Sequence, residues 1–146
     1  MKKVMLFMAM VSIGSIAMAQ KTEEKDVPSV VKSEFASLYP SVKAEKWERE
    51  DGAYKACFKK DSRDMRVAIS STGTLIDTET KIESGDLPHN VIDYTNKNYS
   101  GKMIHKVCRV KDASGKETYV VKISDSKLTF DMDGNLLRSE KTTKKA

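Results

Sequence analysis

The stretch VPSVVKSEFASLYPSVKAEKW (residues 27–47) returns, altered but in step, as LPHNVIDYTNKNYSGKMIHKV (residues 87–107). Pro28 aligns with Pro88, Val31 with Val91, Tyr39 with Tyr99, Ala44 with Ile104 and Trp47 with Val107, always 60 residues apart. Further along, VAISSTGTLI from Val67 matches LTFDMDGNLL from Leu128, bringing Gly73 onto Gly134 and Leu75 onto Leu136. Between these blocks YKACF from Tyr54 matches YVVKI from Tyr119 at a wider offset. Elements persist while loop lengths change, the signature of a tandem duplication.

Each half opens with a predicted helix. Asp26 and Asp86 are suitable N-caps, and Pro28 and Pro88 fall in a first turn, where a missing N–H costs nothing. Val27, Val30, Val31, Phe35, Leu38 and Tyr39 recur at three- and four-residue spacing and form one apolar stripe. Leu87, Val91, Ile92, Thr95 and Tyr99 form a thinner one. Pro40 and Gly101 stop the two helices.

Strands follow. Tyr54, Ala56 and Phe58 alternate with Lys55, Cys57 and Lys59, the period of a half-buried strand. Tyr119, Val121 and Ile123, then Met65, Val67 and Ile69, then Leu128 and Phe130 repeat it. Asp51-Gly52, Thr72-Gly73, Ser114-Gly115 and Asp133-Gly134 mark hairpin turns. The predicted fold class is therefore α+β: two tandem units, each a helix followed by an antiparallel meander of three or four strands. Exposed apolar sheet surface must be covered, which places both helices on one face of a two-layer structure.

FDMDGNLL (residues 130–137) also resembles the start of a calcium loop, with Asp131, Asp133 and Asn135 around a glycine. The first half carries Ser70-Ser71-Thr72-Gly73-Thr74 at the same place, and Thr142 stands where a bidentate glutamate would be required. A hairpin turn, not a metal site, is expected.

The first nineteen residues read as an export leader. Lys2 and Lys3 precede an apolar run from Val4 to Ile16, and Ala17-Met18-Ala19 offers a cleavage site before Gln20. The run is shorter than the roughly 20 residues a spanning helix needs, so no membrane span is expected after cleavage. The mature chain is expected in the periplasm or secreted, and its predicted organisation is leader 1–19, extension 20–26, first unit 27–82, second unit 83–137 and a basic flexible tail 138–146. Losing Lys2 and Lys3 lowers the formal charge from +5 to +3. Such a mild excess does not single out nucleic acid.

Cys57 and Cys108 are the two cysteines. An oxidising compartment permits a disulfide between them, the alternative being two separate buried or half-buried thiols. His89 and His105 have no ligand-spaced neighbours, and no serine stands in a nucleophile elbow. No catalytic, cofactor-binding or metal-binding residue is identified, and no cofactor is expected. With Tyr54, Phe58, Val67 and Ile69 turned to the helices, Lys55, Cys57, Lys59, Arg66 and Ala68 face away. So do Thr118, Val120, Lys122, Lys127 and Thr129. Among these ten, Lys55, Lys59, Arg66, Lys122 and Lys127 are the candidate partner-binding residues, since a basic face steers an acidic protein or envelope component towards it.

A leader followed by two rounds of V/L-P-x-x-V…Y, a Trp-containing strand, a Tyr-led strand and a G-x-L turn resembles the exported PepSY-like proteins of Bacteroidetes. These share the fold of the beta-lactamase inhibitory protein, and the resemblance runs from about Val27 to Leu137. It implies a tandem helix-plus-antiparallel-sheet architecture in two layers. The inhibitor of that fold binds its target through a concave, aromatic-rich sheet face, and PepSY domains are associated with restraint of proteases. The expected function is a non-enzymatic exported binding module docking through its exposed sheet face. The alternative is an inhibitor or regulator of a secreted hydrolase, protease-type rather than beta-lactamase. Oligomeric state and the identity of the partner are left open by the residues.

Overall fold

The computed structural model describes residues 20–142, so the expected leader and the last four residues lie outside them. One antiparallel sheet of nine strands runs in chain order, interrupted by two helices. The order is β1 (Gln20–Thr22), α1 (Ser29–Leu38), β2 (Lys46–Glu50), β3 (Ala53–Lys60), β4 (Arg63–Ser70) and β5 (Leu75–Lys81). It continues with α2 (His89–Asn98), β6 (Ile104–Asp112), β7 (Glu117–Ile123), β8 (Ser126–Phe130) and β9 (Leu136–Lys141). A turn of 3-10 helix precedes each α-helix, at Glu24–Asp26 and Ser84–Asp86.

The helices begin differently from the expectation. Pro28 and Pro88 occupy the N-cap positions themselves, and neither Asp26 nor Asp86 caps an α-helix. The Pro28 carbonyl already accepts the N–H groups of Val31 and Lys32, so the ring's fixed φ sets the entry angle without a side-chain cap. Asp86 serves the 3-10 turn instead, its carboxylate accepting the Glu83 N–H at 3.0 Å.

The apolar stripes form two core clusters. Val31 and Phe35 of α1 pack on Trp47, Phe58, Val67 and Ile69, while Val91 of α2 packs on Val107, Val121, Leu128 and Phe130. Phe58 holds the first cluster together, with ring centroids 5.4 Å from Phe35 and 4.6 Å from Tyr39. Residues paired across antiparallel strands share a face. The row Met65, Thr80, Arg109, Tyr119, Phe130 joins the two clusters through successive pairings. Both helices therefore cover the same face, as expected.

Two segments predicted as peripheral are strands. Residues 138–141, read as a flexible tail, pair with β8, Arg138 opposite Thr129 and Glu140 opposite Lys127. Gln20–Thr22 pair with β2. Polar composition did not prevent either, because a ladder satisfies backbone groups whatever side chains they carry.

The β4–β5 and β8–β9 turns have one geometry. Gly73 N–H donates to the Ser70 carbonyl and Thr74 N–H to the Ser70 hydroxyl; Gly134 N–H and Asn135 N–H treat Asp131 the same way. The Asp131 carboxylate is thus a turn acceptor, matched by a serine in the first half. Both glycines sit at φ 86, and each presses on the second residue of a helix. A Cβ on Gly73 would stand 2.6 Å from Val30 Cγ2, and one on Gly134 would strike the Asn90 side chain. That Asn90 amide donates to the Asp133 carbonyl at 2.6 Å. Gly134→Ala is expected to cost about 1–3 kcal/mol, from left-handed backbone and lost docking of the turn on α2. Urea unfolding measures it, and an unchanged midpoint would show that the turn is not held there.

Candidate functional site

The face opposite the helices is built from alternate residues of every strand. One row runs Lys46, Cys57, Arg66, Glu79; another runs Glu48, Lys55, Ala68, Asp77; a third runs Lys106, Lys122, Lys127, Glu140. Charges dominate it. Among the described residues, Trp47, Tyr54, Phe58, Tyr119 and Phe130, the aromatic residues carried by the sheet, all belong to the helix-side clusters.

The charges are arranged as a chain across the sheet. Lys46 meets Glu48 at 2.7 Å, and Arg66 stands between Glu48 at 3.7 Å and Glu79 at 3.9 Å. Lys106 closes the chain on Glu79 at 3.4 Å. Lys55 bridges to Glu50 at 2.8 Å and Lys59 to Asp64 at 3.9 Å. Of the five candidate partner-binding residues, Lys55, Lys59 and Arg66 are therefore engaged by carboxylates of their own sheet. Lys122 and Lys127 have no carboxylate within ion-pair distance among the described residues, and stand beside Lys106 in the third row.

Sequence reading missed the acids. Glu48 belongs to β2 and Asp77 and Glu79 to β5, strands left out of the outward set. After Ile76, β5 carries Thr78 and Thr80 on one side and Asp77, Glu79 and Lys81 on the other. Without an apolar face it lacks the alternation that marks a strand. Ala68, Val120 and Thr129, expected to face away from the helices, are buried on that side. The long stems of Lys55, Lys122 and Lys127 stand beside them in register.

Burial tunes several of these groups. It pushes the Glu79 carboxyl up, but Lys106, Arg66 and Lys55 outweigh it and hold the group below its ordinary range. Asp77 is raised, by burial first and then by Glu79. Lys122 is lowered, by burial and by the neighbouring Lys106 and Lys127, with Glu79 opposing. The Cys108 thiol is pushed up, chiefly by burial.

A pocket of about 220 Å³ lies towards the end of the strands where β4 begins and β5 ends, lined by Cys57, Arg66, Glu79, Lys81, Lys106 and Cys108 from this face together with Phe58 and Met65 from the helix side. Both cysteines are free thiols. Cys57 lies on β3 and Cys108 on β6, three strand spacings or about 14 Å apart along the sheet. A disulfide tolerates no more than about 7 Å between Cα atoms, so this face keeps two thiols. His89 at the start of α2 and His105 on β6 are exposed.

A solved structure from Bacteroides eggerthii, described as a candidate periplasmic protein, superposes with a TM-score of 0.70 at 17% identity, covering 79% of this chain and 88% of that one. A protein of a family of unknown function from Bacteroides ovatus gives 0.67 at 24% identity, covering 78% and 86%. A protein from Bacteroides fragilis described as like the beta-lactamase inhibitory protein gives 0.65 at 23%, covering 82% and 89%. At these identities the likeness is one of fold. No curated protein matches the chain. A family model described as beta-lactamase-inhibitor-like and PepSY-like matches twice, over residues 17–77 and 76–138. The chain belongs to that PepSY-like, beta-lactamase-inhibitor-like family.

Proposed function

We propose that this chain is an exported, non-catalytic binding module, formed by tandem duplication, which docks an acidic protein or envelope component on its helix-free face. The leader pattern of residues 1–19 supports export, as does the description of the Bacteroides eggerthii protein of the same fold. The double family match supports duplication.

The observation that carries the docking is the lysine row. Lys106, Lys122 and Lys127 are adjacent in register on three neighbouring strands, and only Lys106 reaches a carboxylate there. Lys122 is half-buried and held down by burial and by its two basic neighbours, so an incoming carboxylate or phosphate would relieve repulsion that folding leaves in place. Lys55, Lys59 and Arg66 act in this reading as the fixed, neutralised floor beside that row. Anionic docking at a solvent-accessible, half-buried basic row is screened by salt, though less than at a fully exposed one.

Residues Gln20–Ala146 should retain a discrete anionic partner from envelope extract at low salt and release it at high salt. Lys122→Glu with Lys127→Glu should abolish retention, while Lys59→Glu should change it little. A partner that survives both high salt and the double reversal would overturn docking through the lysine row. Aromatic side chains lie on the helix side of the sheet, which argues against recognition of beta-lactamase through an aromatic-rich face.

A further inference from the structure

The last strand ends the sheet with an open edge. Among the described residues nothing pairs with the outer side of β9, and all six of its residues are exposed. The opposite edge is β1, only three residues long. An edge of unpaired N–H and C=O groups is a template for another strand.

The direction of each backbone group on β9 follows from the ladder. Thr142 N–H donates to the Asp125 carbonyl, which makes Thr142 a hydrogen-bonded position facing β8. Antiparallel ladders alternate, so Glu140 and Arg138 also face inward with their backbone, and Lys141 and Ser139 face outward. Side chains alternate as well. Arg138 and Glu140 share the helix-free face, being paired with Thr129 and Lys127, and in the single molecule their side chains form an ion pair along the strand, Nε to Oε1 at 3.3 Å.

These phases single out one self-pairing. We propose that β9 is an isologous interface for a second molecule of this chain, with two β9 strands antiparallel about a two-fold axis at Ser139. Centred there, Ser139 N–H of each molecule meets the Ser139 carbonyl of the other, and Lys141 lies opposite Leu137. Arg138 of each molecule then falls directly opposite Glu140 of its neighbour, at the closer non-hydrogen-bonded positions. Charged residues usually blunt an edge; here the R-S-E spacing is its own complement under a two-fold, so the same charges become two reciprocal ion pairs. The lysine stem also covers Leu137, which is 50% exposed in the single molecule. A register shifted by one residue would set inward-facing backbone groups against outward-facing ones. The two-fold closes the assembly at two molecules.

Sedimentation velocity of Gln20–Ala146 over a wide concentration range tests this, alongside Glu140→Arg, Ser139→Pro and the double swap Arg138→Glu with Glu140→Arg. A monomer–dimer equilibrium is expected. Glu140→Arg should weaken it by about tenfold or more, as two attractive cross-strand pairs become repulsive. The double swap should restore it, and Ser139→Pro should leave a folded monomer, since the lost N–H points away from β8. A monomer at every concentration overturns the proposal. So does a dimer indifferent to Glu140→Arg and Ser139→Pro, or open-ended growth, which would indicate β1-to-β9 pairing instead.

Discussion

Phe58→Ala is expected to cost about 3–5 kcal/mol, the range for emptying a phenylalanine site in a core that cannot fully collapse. Phe58 is 1% exposed on β3, with Phe35 of α1 packed edge-on and Tyr39 tilted against its ring. Removing the ring takes away the surface against which that helix end is seated. The neighbours cannot close the gap, because Ala56 and Val67 beside it are held in register by the ladder. A domain of this size is stable by only about 5–15 kcal/mol, so the variant should unfold near the start of a urea titration. Phe58→Leu should recover much of the loss. If Phe58→Ala shifted the midpoint by less than the equivalent of about 1 kcal/mol, the α1 segment would not be docked as described.

Glu79→Gln is the second large effect. One carboxylate at the centre of the helix-free face serves Arg66 and Lys106, and all three side chains are about a quarter exposed. Gln keeps the shape and removes the charge, leaving two cations facing each other. Full burial would make such a break worth about 3–5 kcal/mol, and partial exposure brings the expectation down to about 1–3 kcal/mol. The pH dependence follows from direction alone. Burial pushes the Glu79 carboxyl up and its cations pull it further down, so the folded group sits below its ordinary value of 4.5. Its contribution is complete above that ordinary value and is lost as the pH falls through the depressed one. Asp77 runs the other way. It is raised by burial and by Glu79, so it detracts from stability in the ionised state and that cost fades on acidification. Wild-type stability should therefore fall on acidification where Glu79 titrates, and Glu79→Gln should flatten that fall while lowering the neutral plateau. An unaltered acid slope in Glu79→Gln would place the acid sensitivity elsewhere.

How far the chain could be read beforehand depended on whether a residue's role was local. Phe35, Phe58, Val67 and Phe130 announced the core by period, because each packs on an element that the same period defines. Gly73 and Gly134 announced their turns through backbone chemistry that needs no partner to be recognised. Residues 138–141 of β9 were read as part of a tail since they are polar throughout, with no apolar alternation; their order comes from β8, which offers them a ladder. Asp26 and Asp86 have the right chemistry for caps but stand one short turn too early. The cysteine question stayed open for a related reason: nothing in two positions of a chain says how many strands will lie between them.

The candidate face divides in the same way. Lys55, Lys59, Arg66, Lys122 and Lys127 were legible as outward-facing residues because a strand's period assigns its faces. Their electrostatic state was not, for it depends on which strands become neighbours. Sequence by itself determined the two helices, the hairpin turns and the side of the sheet that residues of β3, β4, β7 and β8 would occupy, all of them consequences of backbone geometry over a few residues. Only the tertiary structure decided that Glu48 of β2 and Glu79 of β5 would flank Arg66 of β4, while among the described residues no carboxylate came within ion-pair distance of Lys122 or Lys127. Coulomb interactions act through space over a few ångströms, and the sheet brings to that distance residues that the chain holds far apart.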